Sequence, residues 1–323
     1  MDIRQLRYFV RIVELGSLSS ASRSLRVAQP ALSQQIAKLE EDVGKPLLVR
    51  SSKGVTPNEA GSALYHHALL ILRQFEHAMT IARSDAGAIK GVVSIGLAAT
   101  TVAAIGLPLV QRIRERFSGI SLNVVEAMSG HLEHLMRQNQ LDLAVLFHRD
   151  LPPEFTVEAL MVEELFLIGS GHSPHFPGRT SVTMAEAAEV PLILPTADHG
   201  LRRRIEAEFE SRALHPTVVA EIDSLSLLMN CVNEDIGMTI KPMGAILQEG
   251  RRGRKYRRFR VGDAQLWRSN YLYSLSPDAI TSATSVVMGE LRELVNSLVR
   301  TTNGFMPCPD QVDTAVPSPV ALV

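Results

Sequence analysis

Cysteine is nearly absent from this chain: Cys231 and Cys308 are the only two in 323 residues. Two thiols so far apart make no metal pattern and suggest a reducing compartment. No apolar run reaches membrane-spanning length, so no membrane partner is expected. No signal peptide precedes Met1-Asp2-Ile3-Arg4, which leads to the expectation of a cytoplasmic protein. The histidines His66-His67 and His131/His134 lack a Cys or carboxylate frame, so no metal is expected. Gly169-Ser170-Gly171-His172 is not a nucleophile elbow, and Gly91–Gly96 lacks the Lys-Ser/Thr of a phosphate-binding loop. With no nucleophile, base or metal constellation, no enzyme activity and no cofactor are expected. No tandem repeat is found. Net charge is −1 with 46% hydrophobic residues, so the whole is globular and not globally basic.

Charge is nevertheless uneven. Residues 1–60 hold nine Lys/Arg against six Asp/Glu, a local excess of +3. A dimer doubles that excess, which suffices for phosphate contacts. Within this stretch, residues 17–43 read as two short helices joined by a tight turn. Leu32, Ile36, Leu39 and Val43 share one face of the second helix at 3.6 residues per turn and should pack inward. The opposite face carries Pro30, Gln34, Ala37, Lys38 and Glu41, flanked by Gln29 and Ser33. Gln and Ser can hydrogen-bond base edges, and Lys can reach phosphate or guanine. Glu40, Glu41 and Asp42 lie at the far end, so the N-terminal half should enter a DNA groove and the acidic half should leave it. Pro30 suits the first turn, where a missing N–H costs nothing.

A first helix near Ile3–Leu15 presents Leu6, Phe9, Val10 and Val13 on one face. Gly16 ends it, and Ser17 caps the next helix. Two short apolar runs flank Arg50-Ser51-Ser52-Lys53-Gly54, which reads as a hairpin with a basic tip, a wing whose Arg50 and Lys53 would meet phosphate or the minor groove.

Thr56-Pro57-Asn58-Glu59 reads as a capping box with Pro at the first helical position, opening a helix that runs to about residue 84. Leu64, Ala68, Ile71, Phe75, Ala78 and Ala82 recur at alternating four and three spacing, a heptad seam that favours dimerisation. About 27 residues at a rise of ~1.5 Å give a rod of roughly 40 Å.

From Gly91 the period changes. Apolar runs 92–97, 122–127 and 141–147 read as strands, with helical patterns over 105–117 and 130–138 between them. A second set follows: strands near 165–169, 192–195, 218–222 and 238–241, with helices over 201–212 and 224–233. A strand at 272–275 and a helix near 279–299 close the series. Strands alternating with helices imply an open parallel sheet. Ligands of such sheets bind beyond the strand ends, where helices begin. Hydroxyls at Thr100, Thr101, Ser129 and Thr196 could hold a small polar or anionic molecule. His148, Arg149, His199 or Arg202 stand at the same strand ends and could add polar or positive groups. The alternative for each Ser and Thr is a simple helix cap. The dense basic run 251–260 suggests either a solvated strand edge or a role in DNA wrapping or subunit packing.

Residues 1–60 resemble the winged helix-turn-helix of LysR-type transcriptional regulators. The motifs that carry this are Leu6-Arg7-Tyr8-Phe9, Gly16-Ser17-Leu18, Gln29-Pro30-Ala31-Leu32-Ser33-Gln34-Gln35-Ile36, Leu39-Glu40, Leu47-Leu48-Val49-Arg50 and residues 56–61. Gly54-Val55-Thr56-Pro57 and residues 65–73 look most like the nitrogen assimilation control subgroup. One departure is Ala28, where the family often has Ser or Thr able to cap the recognition helix. A DNA phosphate could satisfy the free N–H groups there instead.

The resemblance implies an α+β multidomain protein. A winged helix-turn-helix spans 1–58, a linker helix and hinge 59–88, and a two-lobed α/β effector domain, similar to periplasmic binding proteins, 89–302. The first lobe would hold 89–162 and 267–302, the second 163–266, with a disordered tail over 303–323. It also implies a homodimer or homotetramer in the bacterial cytoplasm, double-stranded promoter DNA and RNA polymerase as partners, and effector contacts at Thr100, Ser129, His148 and Thr196. The subgroup resemblance equally allows a regulator that needs no effector and acts through its own abundance. A solute-binding protein is the other alternative, and the N-terminal DNA reader opposes it.

Overall fold

The computed structural model describes residues 1–51, 54–83, 89–149, 155–248, 255–276 and 279–308. Two compact units emerge. One is Met1–Gly91 with His134–Leu141; the other is Val92–Glu133 with Asp142–Val323.

In the first unit, α1 (Ile3–Leu15) starts on a capping box between Asp2 and Gln5 and ends on Gly16 in the left-handed region. Then follow α2 (Leu18–Leu25), capped by Ser17, and α3 (Gln29–Val43). Strands β1 (Leu48–Ser51) and β2 (Gly54–Pro57) pair antiparallel, with Arg50 opposite Val55. Of the set the apolar spacing picked out, Phe9, Leu32, Ile36 and Leu39 are fully buried and Val13 and Val43 pack beside them; Ile12, outside that set, is fully buried with them.

The wing is docked by glycine. Gly54 has φ +126°, and a Cβ there would lie 2.6 Å from the Gly16 carbonyl oxygen, which instead accepts the Val55 N–H at 2.8 Å. Helix α4 (Glu59–Arg83) starts later than the expected box. Thr56 and Pro57 are held in β2 by pairing with Val49 and Leu48, so Asn58 caps α4 instead, its Oδ1 accepting the Gly61 N–H at 2.8 Å. The seam divides: Leu64 and Ala68 pack against Leu6 and Val10 of α1, whereas Ile71, Phe75 and Ala78 are exposed, as is Met79 beside them.

The second unit opens with β3 (Gly91–Leu97), a short turn α5 (Ala99–Thr101), a π-helical stretch Val102–Gly106 and α6 (Leu107–Arg116). It continues through β4 (Ile120–Glu126), α7 (Ser129–Arg137), β5 (Leu143–Leu146), β6 (Phe155–Ser170), β7 (Ser181–Val182), α8 (Met184–Glu189) and β8 (Leu192–Leu194). After these come α9 (Gly200–Glu210), β9 (Val218–Glu221), α10 (Leu225–Asn233), β10 (Thr239–Pro242) and α11 (Gly244–Leu247). The last elements are β11 (Tyr256–Val261), β12 (Trp267–Leu275), α12 (Ser282–Thr301) and β13 (Phe305–Met306).

The sheet is mixed rather than parallel throughout. Its order is β4-β3-β5-β12-β6-β11-β7, and β6 runs antiparallel to β10, β11, β12 and β13. Strand β6 is 16 residues long and belongs to two lobes: Phe155–Glu164 pairs with β12, and Leu165–Ser170 pairs with β10 and β11. An unbroken apolar stretch shows burial but not strand direction, so the antiparallel crossover was illegible in the sequence. Two cores flank the crossover, one around Ile95, Leu97, Leu109, Val145 and Leu291, the other around Leu167, Ile205, Phe209 and Phe259.

The expected disordered tail begins with ordered chain. Phe305 pairs with Glu163 and is buried, and Cys308 is buried; residues 309–323 lie outside those described. The basic run is also accounted for where described. Residues 256–261 form β11 between β6 and β7, an interior position and not a strand edge. Arg257 donates to the carbonyls of Ser173, His175 and Phe176, and Arg260 pairs with Glu164 at 2.6 Å. Residues 251–254 lie outside the described set.

Candidate functional site

Two sites can be built from these elements, one in each unit. On α3, Gln29, Pro30, Gln34 and Lys38 are exposed along one side while Leu32, Ile36 and Leu39 anchor the other. Ser33 is half-buried, and Arg50 from the wing donates to its Oγ at 3.4 Å, so β1 and the start of α3 present their polar groups together. Lys53 lies outside the described residues. Glu40 has a role that its charge alone did not reveal: its Oε1 accepts the Leu47 and Leu48 N–H groups at 2.7 and 3.2 Å, fixing the wing to α3.

Ala28 stands at the N-cap of α3 in extended conformation and supplies no side-chain bond. Ala28→Ser is therefore expected to raise the stability of the DNA-free protein by about 1 kcal/mol, because the hydroxyl would meet an orphan N–H. Urea unfolding of the two proteins measures it; no change in midpoint would show that those amides need no partner.

In the second unit, a cavity of about 260 Å³ lies where β3, β4, β10 and β12 meet the starts of α7, α9 and α10. Of the sequence-predicted set, Thr100, Ser129 and His199 line it. Thr101 does not; its hydroxyl is buried without a partner among the described residues. His148 stands outside, 3.4 Å from Glu133, and Arg149 stacks over Tyr271. Thr196 is held away by Asp223, which accepts its N–H at 3.0 Å and its hydroxyl at 2.9 Å. Arg202 is buried and committed to Glu206, Glu221 and the Pro195 carbonyl.

The strongest charges in the cavity were missed by the sequence reading. They are Lys241 on β10 and Arg268 on β12, 4% and 8% exposed. Both sit inside strands, where burial is the ordinary expectation for neighbours but not for a cation. Arg268 faces Glu163 directly across the β6–β12 pair. Its Nε and Nη2 donate to Glu163 Oε2 at 3.0 and 2.6 Å, and Asn270 Nδ2 donates to the same oxygen at 3.0 Å. Nη2 also donates to Thr100 Oγ1 at 2.9 Å, and the guanidinium lies 3.8 Å from the Phe147 ring centre. Lys241 makes no hydrogen bond or ion pair to any described residue. Burial pushes its ammonium down from the usual lysine value to about 8, Arg268 pushes the same way, and Asp223 partly opposes. His199 is driven down to about 4 by burial, then by Lys241 and Arg268, so it is neutral at pH 7. Its Nδ1 accepts the Leu201 N–H, leaving the proton on Nε2.

Gly244 sets how closely the walls approach: a Cβ there would lie 2.1 Å from the Thr100 carbonyl oxygen. Among the described residues no group of His, Cys, Asp or Glu could hold a metal ion, and no helix is long and apolar enough to cross a membrane.

A winged helix-turn-helix followed by a two-lobed α/β domain with a polar cleft defines a ligand-linked DNA-binding regulator. The sequence matches the family described as bacterial regulatory helix-turn-helix protein, lysR family, over residues 3–62, and the LysR substrate binding domain over residues 86–296. The chain belongs to the LysR family of transcriptional regulators. The nitrogen assimilation regulatory protein nac of Klebsiella aerogenes is 38% identical over 246 residues, covering 76% of this chain and 79% of that protein. The same-named protein of Escherichia coli K12 is equally similar, at 38% over 246 residues. Among solved structures, a full-length single-residue variant of OxyR from Pseudomonas aeruginosa aligns with TM-score 0.70 at 18% identity, over 91% of this chain and 97% of that one. Full-length BenM aligns with TM-score 0.56 at 20% identity, over 96% and 100%. These two likenesses concern the fold.

Proposed function

We propose that this regulator reads two DNA half-sites with paired copies of α3 and that a small molecule in the second unit's cleft alters that reading. Gln29, Pro30, Ser33, Gln34 and Lys38 form the groove-facing set, with Arg50 and Lys53 of the wing on the backbone or the minor groove. The observation that carries this is the coexistence of an exposed polar α3 face over a fully buried apolar one with an exposed stripe of Ile71, Phe75 and Met79 on α4. The stripe supports a homodimer, which can assemble further to a homotetramer.

Thr100, Ser129 and His199 are the proposed effector contacts from the sequence-predicted set. Thr101, His148, Thr196 and Arg202 belong to the supporting structure around the cleft. The protein acts by binding and not by catalysis, in the bacterial cytoplasm and together with RNA polymerase. The likeness to the two nitrogen assimilation regulatory proteins supports target genes of nitrogen assimilation.

A thermal-shift screen of metabolites on the full chain, followed by DNA footprinting with each hit, tests the effector reading. A hit is expected to change the extent of protection or the pattern of DNA bending. Identical footprints with every bound metabolite would instead leave a regulator controlled by its own abundance.

A further inference from the structure

We propose that a second cavity of this unit, separate from the cleft, binds a small organic anion with two acid groups, phosphoryl or carboxyl, held by Arg258 and Arg300. The inference stands apart from the effector reading above and does not rest on it.

The cavity holds about 740 Å³, within the roughly 300–1,000 Å³ of small-molecule sites. One wall comes from β6, β7 and β11; the other comes from the end of α12, the turn after it and β13. It shares no lining residue with the cleft. Successive side chains of a strand point to opposite faces. Glu163 therefore meets Arg268 of the cleft, and Glu164 turns the other way into this second cavity. Gly304 lets the turn close against β6: its φ is +97°, and a Cβ there would lie 2.8 Å from the Phe166 ring.

Charge decides the class of ligand. Arg258, Arg260 and Arg300 line the cavity, and Glu164 is the one carboxylate among the described residues that line it. Arg258 and Arg260 project from the same face of β11, with Phe259 between them buried on the other. Glu164, 7% exposed, engages Arg260 twice, at 2.6 Å from Nε and 3.1 Å from Nη2. Arg258 is braced over Phe166, its guanidinium 5.6 Å from the ring centre, and Arg300 is exposed at the end of α12. Neither makes an ion pair with a described residue.

Two guanidinium charges are thus left unmatched, on two different elements. A ligand with one acid group satisfies one of them; a ligand with two spans both. The planar fork of arginine fits the paired oxygens of a phosphoryl or carboxyl group. Thr180, Ser181 and Asn303 supply neutral polar groups for the rest of the molecule.

The test is calorimetric titration of the full-length protein at constant ionic strength. The probes are pyrophosphate and fructose 1,6-bisphosphate, succinate and citrate, with acetate and glucose as the one-group and neutral references. At least one two-group anion is expected to bind saturably, about tenfold or more tighter than acetate, and glucose is expected not to bind. Whether the phosphoryl or the carboxyl probes bind tighter names the acid group. Arg258→Gln/Arg300→Gln is expected to weaken the best probe about tenfold or more, because each change removes a charge-assisted contact. Arg258→Lys/Arg300→Lys, which keeps the charges, should recover part of that loss.

Both side chains are exposed, so the variants should melt with the parent, which a melting curve verifies. Arg300→Gln alone, at the helix end, gives a second reading of the site and should weaken the best probe several-fold. Anions held on the DNA-reading face instead would bind the double Gln variant as they bind the parent. The proposal is overturned by that result, by a parent that binds none of the two-group anions, or by acetate binding as tightly as the best of them.

Discussion

Glu163→Ala is expected to destabilise the second unit by roughly 3–5 kcal/mol, because it removes one partner of a fully buried ion pair. Three donors converge on Glu163 Oε2, two from Arg268 and one from Asn270. Without the carboxylate, the Arg268 guanidinium stays buried and keeps only the Thr100 hydroxyl and the Phe147 ring. The effect should be large because the pair sits at the point where β6 passes from one lobe to the other. The chain's single tryptophan, Trp267, precedes Arg268 on β12, so its fluorescence during urea unfolding reports on this unit.

The double variant Glu163→Leu/Arg268→Met separates the charge effect from packing. Replacing both charges by apolar groups of similar length is expected to be far milder than the single change, since a buried pair is often no more stable than a hydrophobic contact of similar volume. A single variant that loses less than about 1 kcal/mol would show that water reaches Arg268 and that the cleft is not the low-dielectric site described here.

The second large effect belongs to DNA. Gln34→Ala and Gln29→Ala are each expected to lose about 1–3 kcal/mol of discrimination at one base pair of each half-site, with little loss on unrelated DNA. Lys38→Ala should behave differently: it should weaken binding to all sequences alike and reduce the slope of log affinity against log salt by about one contact per subunit. Fluorescence anisotropy on a selected site and on scrambled DNA, across salt concentrations, distinguishes these outcomes. Equal losses on both DNAs for Gln34→Ala would take that residue out of base reading.

Much of the first unit was legible because its local rules agree. The 3.6-residue spacing of Leu32, Ile36 and Leu39 fixed the buried face of α3, and that left Gln29, Gln34 and Lys38 outward without further information. The exception was the start of α4. Thr56-Pro57-Asn58-Glu59 satisfies a capping-box pattern, but β-pairing with Val49 and Leu48 claims Thr56 and Pro57 first. Tertiary pairing overrode a local signal there. In the seam, the spacing could not show that α1 takes Leu64 and Ala68 for its own core while Ile71 and Phe75 stay exposed.

The cleft was legible only in outline. Strand ends and hydroxyls pointed to Thr100 and Ser129, and a helix start to His199. The pattern could not tell Thr196, turned to Asp223, from a lining residue, because one rotamer and one partner decide that. Lys241 and Arg268 were invisible for a different reason. Lys241 follows Ile240 in β10 and Arg268 follows Trp267 in β12, and their meeting depends on the antiparallel β6–β10 and β6–β12 pairings, which no local pattern encodes.

The most direct measurement is footprinting of the full-length protein on DNA selected from a random pool, with Gln34→Ala alongside. The expected result is protection of two symmetric arms whose centres lie about one helical turn, roughly 34–36 Å, or a multiple of it apart, lost in both arms together by the substitution. A single unsymmetrical protected stretch, or protection that the substitution leaves intact, would contradict a paired, α3-reading regulator.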